Sequence, residues 1–223
     1  ASVTSAGNVT SLLFSAFGQK LSEKNKNLLG NPYAQFIKGT AELRQLWKIN
    51  NSHQIATRIM VGAIHSYGNS EYAPYSEQFY IGGANSLRAF TIRSVGPGSY
   101  HPETEDRYSY LDETGTFKLE LNAEYRFKLI ADLHGALFID AGNIWLMKKD
   151  EERPGGELEL KNMARQLALN TGFGFRYDLE FLVLRLDFGL GLHAPYRTER
   201  NGYFNLKPFG DGFAWHFAIG YPF

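Results

Sequence analysis

Residues 77–98 combine aromatic side chains, a glycine pair and an arginine between two stretches of strand-like sequence. The planar guanidinium of Arg88 could pair with both oxygens of a carboxylate, which a lysine does less well. Gly82 and Gly83 allow a tight chain reversal or a close approach of two backbone segments. Taken alone, however, this pattern favours a solvated arginine in an exposed loop, so its meaning depends on the elements around it.

The composition excludes several classes of function. The 223 residues include 23 Lys and Arg and 23 Asp and Glu, so the basic surface expected of a nucleic-acid-binding protein is missing. Cysteine is absent, which excludes disulfide bonds and thiolate zinc sites. The six histidines show no His/Glu cluster of the kind that holds catalytic zinc. We therefore predict no nucleic-acid partner, no metal site and no cofactor.

Apolar and other residues alternate with a period of two in three segments, which is the pattern of β-strands. These segments are 117–129, 182–192 and 213–223. Less regular segments that also predict strands are 9–18, 33–48, 54–67, 133–145 and 167–178. Any one of the segments alone would fit a soluble sandwich with one wet face.

The lengths of the strands and linkers favour a membrane barrel over that sandwich. Segments of about ten residues are long enough for a tilted strand to cross a hydrocarbon layer. Long linkers at 19–32, 68–115, 146–166 and 194–212 alternate with short turns near 48–53, 130–132 and 178–180. This alternation, with an apolar face opposite a charged one, is typical of outer-membrane barrels. We predict an all-β, transmembrane antiparallel β-barrel, with linker 68–115 on the extracellular side.

The number of strands conflicts with the content of that linker. Eight strands can close into a barrel, but its interior is just wide enough for its own side chains. Such a barrel could not also admit the aromatic hairpin predicted within residues 68–115. Either the loop stays outside, or this chain supplies only part of a wider barrel.

The motifs and their order resemble the outer-membrane assembly and translocation superfamily that includes BamA, TamA and the two-partner secretion translocators. The sixth extracellular loop of that family carries Phe-Tyr-x-Gly-Gly and Val-Arg-Gly-Phe or Val-Arg-Gly-Tyr. The matching residues here are Phe79, Tyr80, Gly82, Gly83, Leu87, Arg88, Ala89 and Phe90. A Phe-x-Asp-x-Gly motif follows at residues 138–142. The end of the chain resembles the aromatic last-strand signal of such barrels, through Phe217, Gly220, Tyr221 and Phe223.

The resemblance covers residues 1–223 as the last eight strands of a sixteen-stranded barrel in the bacterial outer membrane. It implies that the loop at 68–115 folds into the lumen and that the remaining strands come from another segment or subunit. Ala89 stands where the family usually has glycine, so the loop tip differs in detail if that position needs a positive φ.

The resemblance also implies that Arg88 docks on carboxylates of the barrel wall. Alternation places Asp140 on the inward face with His134, opposite the outward side of Ile139 and Trp145. Glu120 and Glu124 lie on the polar face of the preceding strand. We expect Arg88 to engage Asp140 and Glu124, with Glu120 as the alternative second acceptor.

Three functions are compatible with these features. The first is a non-enzymatic assembly factor, in which the first and last barrel strands meet at a weak seam that templates strands of client proteins. Gly220 and Pro222 fit a weak seam, since proline lacks a backbone donor. The second is a translocation pore of the two-partner secretion type, gated by the same loop. In both, the partners are the lipid bilayer and client outer-membrane or secreted proteins.

The third function, an outer-membrane enzyme, needs a nucleophile and base or converging carboxylates near the rim of the barrel. Acidic residues in the outer linkers are Asp112, Glu113, Asp150, Glu151 and Glu152. Runs of charge in such linkers are usually solvated, so the sequence favours a protein without catalytic activity.

Overall fold

The computed structural model describes residues 1–18, 20, 26–102 and 113–223, and its main element is an eight-stranded antiparallel sheet. In chain order the elements are β1 (Ser2–Ala6), α1 (Asn8–Ala16), β2 (Asn27–Leu28), β3 (Asn31–Pro32), β4 (Phe36–Asn50), β5 (His53–Ser66), a 3-10 turn (Tyr75–Glu77), β6 (Phe117–Ile130), β7 (Leu133–Trp145), α2 (Met163–Gln166), β8 (Ala168–Asp178), β9 (Val183–His193) and β10 (Phe213–Ile219). Strands β2 and β3 form a separate pair. The other eight strands lie side by side in chain order, from β1 at one edge to β10 at the other.

The strand register separates the residues into two faces. Asn122 on β6 pairs with Asp140 on β7, which pairs with Asn170 on β8, so these side chains lie on the same face. Glu120 and Glu124 are two residues from Asn122 in either direction and share that side. We call this charged side the inner face.

The opposite side, the outer face, is apolar and exposed. Its exposed residues include Leu43, Trp47, Ile59, Leu137, Ile139, Phe173, Trp215 and Phe217. Exposure of so many large apolar side chains on one face is expected where hydrocarbon, rather than water, covers the sheet. No helix in the described ranges is long and apolar enough to cross a membrane.

The hydrophobic core lies between the inner face and the linker that joins β5 to β6. Ile81, Leu87 and Val95 of this linker are fully buried against strand residues such as Ile64 and Ile144. This part of the linker therefore folds back over the sheet instead of extending into solvent.

The prediction of eight antiparallel strands is confirmed, but its first segment is wrong. Residues 9–18 fall mainly in helix α1, and the first strand is the preceding Ser2–Ala6. Gly7 ends that strand with a φ of 75°. The apolar residues Val9, Leu12 and Leu13 recur at helical spacing, a signal that the period-two interpretation overlooked.

The final strand is shorter than the predicted segment 213–223. Its ladder with β9 ends at Ile219, and Gly220 follows with a φ of 84°. Gly220 N–H still donates to the Val183 carbonyl of β9 at 2.8 Å, but its positive φ turns the chain out of the extended conformation, so residues 221–223 lie outside the sheet.

The two-faced sheet makes a testable prediction about the outer face. Ile139→Arg places a charge near the middle of β7 on that face and should reduce the free energy of unfolding in a bilayer by about 2–4 kcal/mol. Urea unfolding of the full-length protein refolded into lipid vesicles measures this loss. The matched control is Gln54→Arg on the inner face, and equal losses from both variants would contradict the assignment of the faces.

Candidate functional site

The part of the linker that carries Arg88 is a compact hairpin. The Phe79 and Gly115 backbones exchange two hydrogen bonds of 2.9 Å at its base. Further up, Arg93 N–H donates to the Ile81 carbonyl at 2.9 Å and Gly83 N–H donates to the Phe90 carbonyl at 2.8 Å. Gly82 has a φ of 101°, and a Cβ there would meet the Thr91 carbonyl oxygen. Glycine is thus required for the close approach of the two arms, which together present Arg88 at the tip.

The guanidinium of Arg88 is buried and held by two carboxylates. Its Nε and Nη2 donate to the two oxygens of Asp140, each at 2.9 Å, in the planar arrangement that arginine favours. Its Nη1 donates to Glu124 Oε2. The guanidinium also lies 3.5 Å from the centre of the Phe138 ring. These contacts account for an exposed fraction of only 1%.

Neighbouring strands hold both acceptors in place. Asp140 accepts hydrogen bonds from the side-chain amides of Asn122 and Asn170, each at 2.9 Å. Glu124 accepts from Arg126 Nε at 2.8 Å and from Arg176 Nη2 at 3.0 Å. Because the register of β6, β7 and β8 sets these partners, the sheet presents a preformed anionic site to the loop.

The carboxylates keep Arg88 charged despite its burial. Loss of water disfavours the cation, but the charge and hydrogen bonds of Asp140, with the charges of Glu124 and Asp187, outweigh that effect and raise the pKa of Arg88. The guanidinium is therefore a permanent cation in this site.

The network extends to residues that the sequence analysis missed. Asp187 on β9 lies 2.6 Å from Arg176 Nη1 and 3.8 Å from Arg88 Nη1. At the loop tip, the side chain of Asn85 accepts from Arg185 Nη2 at 2.6 Å, and its backbone carbonyl accepts from Arg58 Nη2 at 3.0 Å. Charged residues of inward parity on β5, β8 and β9 were the signal available in the sequence.

The predicted site residues divide into two groups. The structure brings Arg88, Asp140 and Glu124 together, whereas Glu120 does not contact Arg88. Glu120 lies four residues along β6 from Glu124, where it pairs with Arg58 and, at 2.8 Å, with Lys118. The prediction of Glu120 as the alternative second acceptor is therefore wrong. The loop places Arg88 beside Glu124, two residues further along β6 than Asn122 and four further than Glu120.

The flanking motif residues pack as follows. Phe79, Leu87, Ala89 and Phe90 are buried, whereas Tyr80 is 45% exposed. The guanidinium of Arg93 lies 4.8 Å from the centre of the Tyr80 ring. Ala89 is not among the described residues with positive φ, so its replacement of glycine needs no strained backbone.

Trp145 has outward parity yet is fully buried, because Gln166 of the following linker covers it and accepts its indole N–H at 2.8 Å.

The four residues of the last-strand signal are separated by the end of β10. Phe217 is exposed on the outer face, while Tyr221 and Phe223 follow the bend at Gly220. The guanidinium of Arg126 lies 4.2 Å from the centre of the Tyr221 ring. The Phe223 ring centre is 5.4 Å from Arg58 Cζ and 6.0 Å from Arg88 Cζ. The tail after the bend therefore passes beneath the loop arginine on the inner face.

The structure describes four of the five acidic residues considered in the outer linkers. Asp112 lies outside the described residues, and Asp150 pairs with Arg153 at 2.8 Å. Within residues 1–18, 20, 26–102 and 113–223, no group of three His, Asp or Glu side chains could hold a metal ion.

Loss of one acceptor should release the loop. Asp140→Asn removes one of the two oxygens that accept from Arg88, together with the negative charge, and should weaken docking by about 3 kcal/mol, because a buried cation loses one of its two paired counter-charges. We expect trypsin to cleave within residues 79–98 far faster in this variant than in the wild type. The matched control is Glu42→Gln, which removes an inner-face carboxylate that pairs with Arg44 at 2.9 Å and not with the loop. Equal cleavage of the Asp140→Asn variant and the wild type would contradict the docking.

The sequence and the fold can be compared with those of known proteins. The outer membrane protein assembly factor BamA of Nitratidesulfovibrio vulgaris is 32% identical over 150 residues, which are 64% of this chain and 18% of that protein. The protein of the same name from Neisseria meningitidis serogroup B is 32% identical over 90 residues, or 38% of this chain and 11% of that protein. The chain thus spans less than a fifth of the length of these relatives.

A solved structure and a family model extend the similarity over most of the chain. The crystal structure of BamA from Haemophilus ducreyi superposes with a TM-score of 0.51 at 15% identity, covering 84% of this chain and 35% of that one. This match supports a shared barrel fold. The model of the Omp85 superfamily domain matches residues 11–223. The chain therefore belongs to the Omp85 superfamily, a family of bacterial outer-membrane β-barrel proteins that serve protein assembly and translocation and are not enzymes.

Proposed function

We propose that this chain is the C-terminal part of the barrel of an outer-membrane protein assembly factor. In this proposal residues 1–223 supply eight of about sixteen strands, and another segment or subunit supplies the rest. The linker at 68–115 is an extracellular loop that folds into the lumen. The two relatives at 32% identity, both described as BamA assembly factors, support assembly as the role. The observation that carries the proposal is the docking of Arg88 on Asp140 and Glu124.

The docked arginine acts as a latch that fixes the loop to the barrel wall. One cation contacts carboxylates of β6 and β7 and lies near that of β9, so the loop adds a link between strands that already share ladders and side-chain contacts. Asn85 adds contacts to Arg58 on β5 and Arg185 on β9. A loop held in this way stiffens the wall beside the strand at the end of the sheet.

That last strand is suited to exchange partners with a client. Strand β10 has 7 residues, whereas β4 to β7 have 13 to 15, so it contributes a shorter ladder. It lies at an edge of the described sheet, where backbone donors and acceptors are available to an incoming strand. Strand addition at this edge would supply affinity through backbone hydrogen bonds, independent of client side chains.

A secretion pore is the second candidate. The inner face is lined with charged residues and the loop covers it, an arrangement that also suits a gated polar conduit. Planar-bilayer recordings separate the two roles, because a pore should conduct more when Arg88→Ala frees the loop and should change conductance when a client is engaged. An assembly factor should instead bind client strands at its edge.

Photocrosslinking tests the assembly proposal. A photoreactive phenylalanine analogue replaces Phe217 on the edge strand β10 of the full-length protein, in cells that assemble a tagged outer-membrane client. We expect crosslinks between position 217 and the client during assembly. The matched control is the same analogue at Phe173, which also lies on the outer face but on the interior strand β8.

Two results would contradict the proposal. Equal crosslinking from positions 217 and 173 would indicate nonspecific contact through the membrane. Absence of crosslinks from position 217 while the client assembles normally would show that the β10 edge does not receive client strands.

A further inference from the structure

We infer that His216 and Gly189 form a second anchor, which ties the loop tip directly to the last strand, so that loop docking and β10 pairing are one cooperative unit. This inference rests on the proposed function for its meaning, because it gives the latch control over the edge at which clients would add. It concerns the backbone of the loop and not the ion pairs of Arg88.

His216 makes the contact from the last strand. In the β10 ladder it lies opposite Asp187, which places its side chain on the inner face. Its Nε2 is 3.0 Å from the backbone carbonyl oxygen of Arg88. Because a carbonyl oxygen can only accept, Nε2 carries the hydrogen and donates it. The loop residue whose side chain binds β6 and β7 is therefore bound through its backbone to β10.

Gly189 makes the approach possible. It lies on β9 opposite Ala214 of β10 and Gly172 of β8, so small residues line this row of the inner face. A Cβ at Gly189 would meet the Arg88 carbonyl oxygen, and would come within 2.6 Å of the Arg88 carbonyl carbon and 2.8 Å of the Ala89 nitrogen. All three are backbone atoms, which cannot swing aside as a side chain can. The loop backbone thus rests directly on the sheet at this glycine.

The two contacts differ in what they constrain. The ion pairs of Arg88 fix the loop to interior strands that are paired on both sides. His216 belongs to a strand whose ladder partner in the described sheet is β9 alone, so its bond to the loop adds a tie that the ladder does not supply. When the loop leaves, β10 loses that tie, and when β10 separates, the Arg88 carbonyl loses its donor. Each event therefore favours the other.

Amide hydrogen exchange on the full-length protein in lipid nanodiscs tests this coupling. Two sets of amides report it, those of residues 213–219 for the strand and those of Gly83 and Arg93 for the hairpin. His216→Ala should increase exchange about tenfold in both sets, since one partly buried hydrogen bond is lost. His216→Gln should restore protection, because its side-chain amide can still donate. The matched control is His65→Ala, at an exposed histidine near the far end of β5, which should change neither set.

Gly189→Ala tests the same anchor from the opposite side. The added methyl group should push the Arg88 backbone off β9 and increase exchange in the hairpin and in β10 together, while leaving the His216 side chain intact. Gly39→Ala is the control, because a Cβ at Gly39 meets no atom within 4 Å. This substitution should leave both sets of amides unchanged.

The outcomes separate the anchor from the proposed function. Unchanged β10 exchange in the His216→Ala variant, faster exchange in only one set of amides, or failure of His216→Gln to restore protection would overturn the inference. Should His216→Ala not fold, a protected His216→Gln variant supports the anchor and an unfolded one refutes it. Coupled exchange with normal client assembly would instead leave the anchor intact and contradict the assembly role.

Discussion

The structure depends on the burial of one cation. Removing the guanidinium of Arg88 from water is unfavourable unless several acceptors surround it, and Asp140 and Glu124 meet that demand. Their own partners lie on β6 and β8, so the cost of burying the arginine is offset only when these strands and β7 are assembled in the correct register. Loop and sheet therefore specify each other.

The two faces of the sheet have different roles: the outer face is apolar, and the inner face binds the loop. Alternation directs apolar residues such as Ile139 outward and charged residues such as Asp140 inward from the same strand. Glycine lies where the loop comes closest to the sheet, at Gly189 on β9 beneath the Arg88 backbone and at Gly62 on β5 beneath the ring of Phe79. The inner face thus offers carboxylates that bind the side chain of Arg88 and glycines that leave room for the loop. The hairpin is complementary to both.

Much of this could be predicted from the sequence. Period-two alternation located seven of the eight strands to within a few residues, and parity placed Asp140 and Glu124 on the face that Arg88 reaches. Parity could not show which of Glu120 and Glu124 accepts from Arg88, because both lie on the inner face. The position that the loop tip reaches along β6 is set by tertiary packing. Helix α1 was missed because the helical spacing of Val9, Leu12 and Leu13 was overlooked in a short segment interpreted with a period of two. The bend at Gly220 was missed because a glycine in a strand pattern does not reveal its φ.

The contribution of His216 is of another kind, since no motif marks it. Its role depends on the register between β10 and β9, which brings His216 within hydrogen-bond distance of the loop. It also depends on Gly189, which lets the loop backbone come close to the sheet. Such contacts are visible only once the sheet and the loop are placed together.

The coupling between Arg88 and Asp140 tests the account most directly. The free energy of loop opening, from amide exchange at Gly83 and Arg93, is measured for the wild type, Arg88→Met, Asp140→Asn and the double variant. A buried ion pair that fixes the loop predicts an interaction energy of at least about 2 kcal/mol, with the double variant little worse than either single one. Effects that add to within about 0.5 kcal/mol would show that the two residues act independently and would contradict the account.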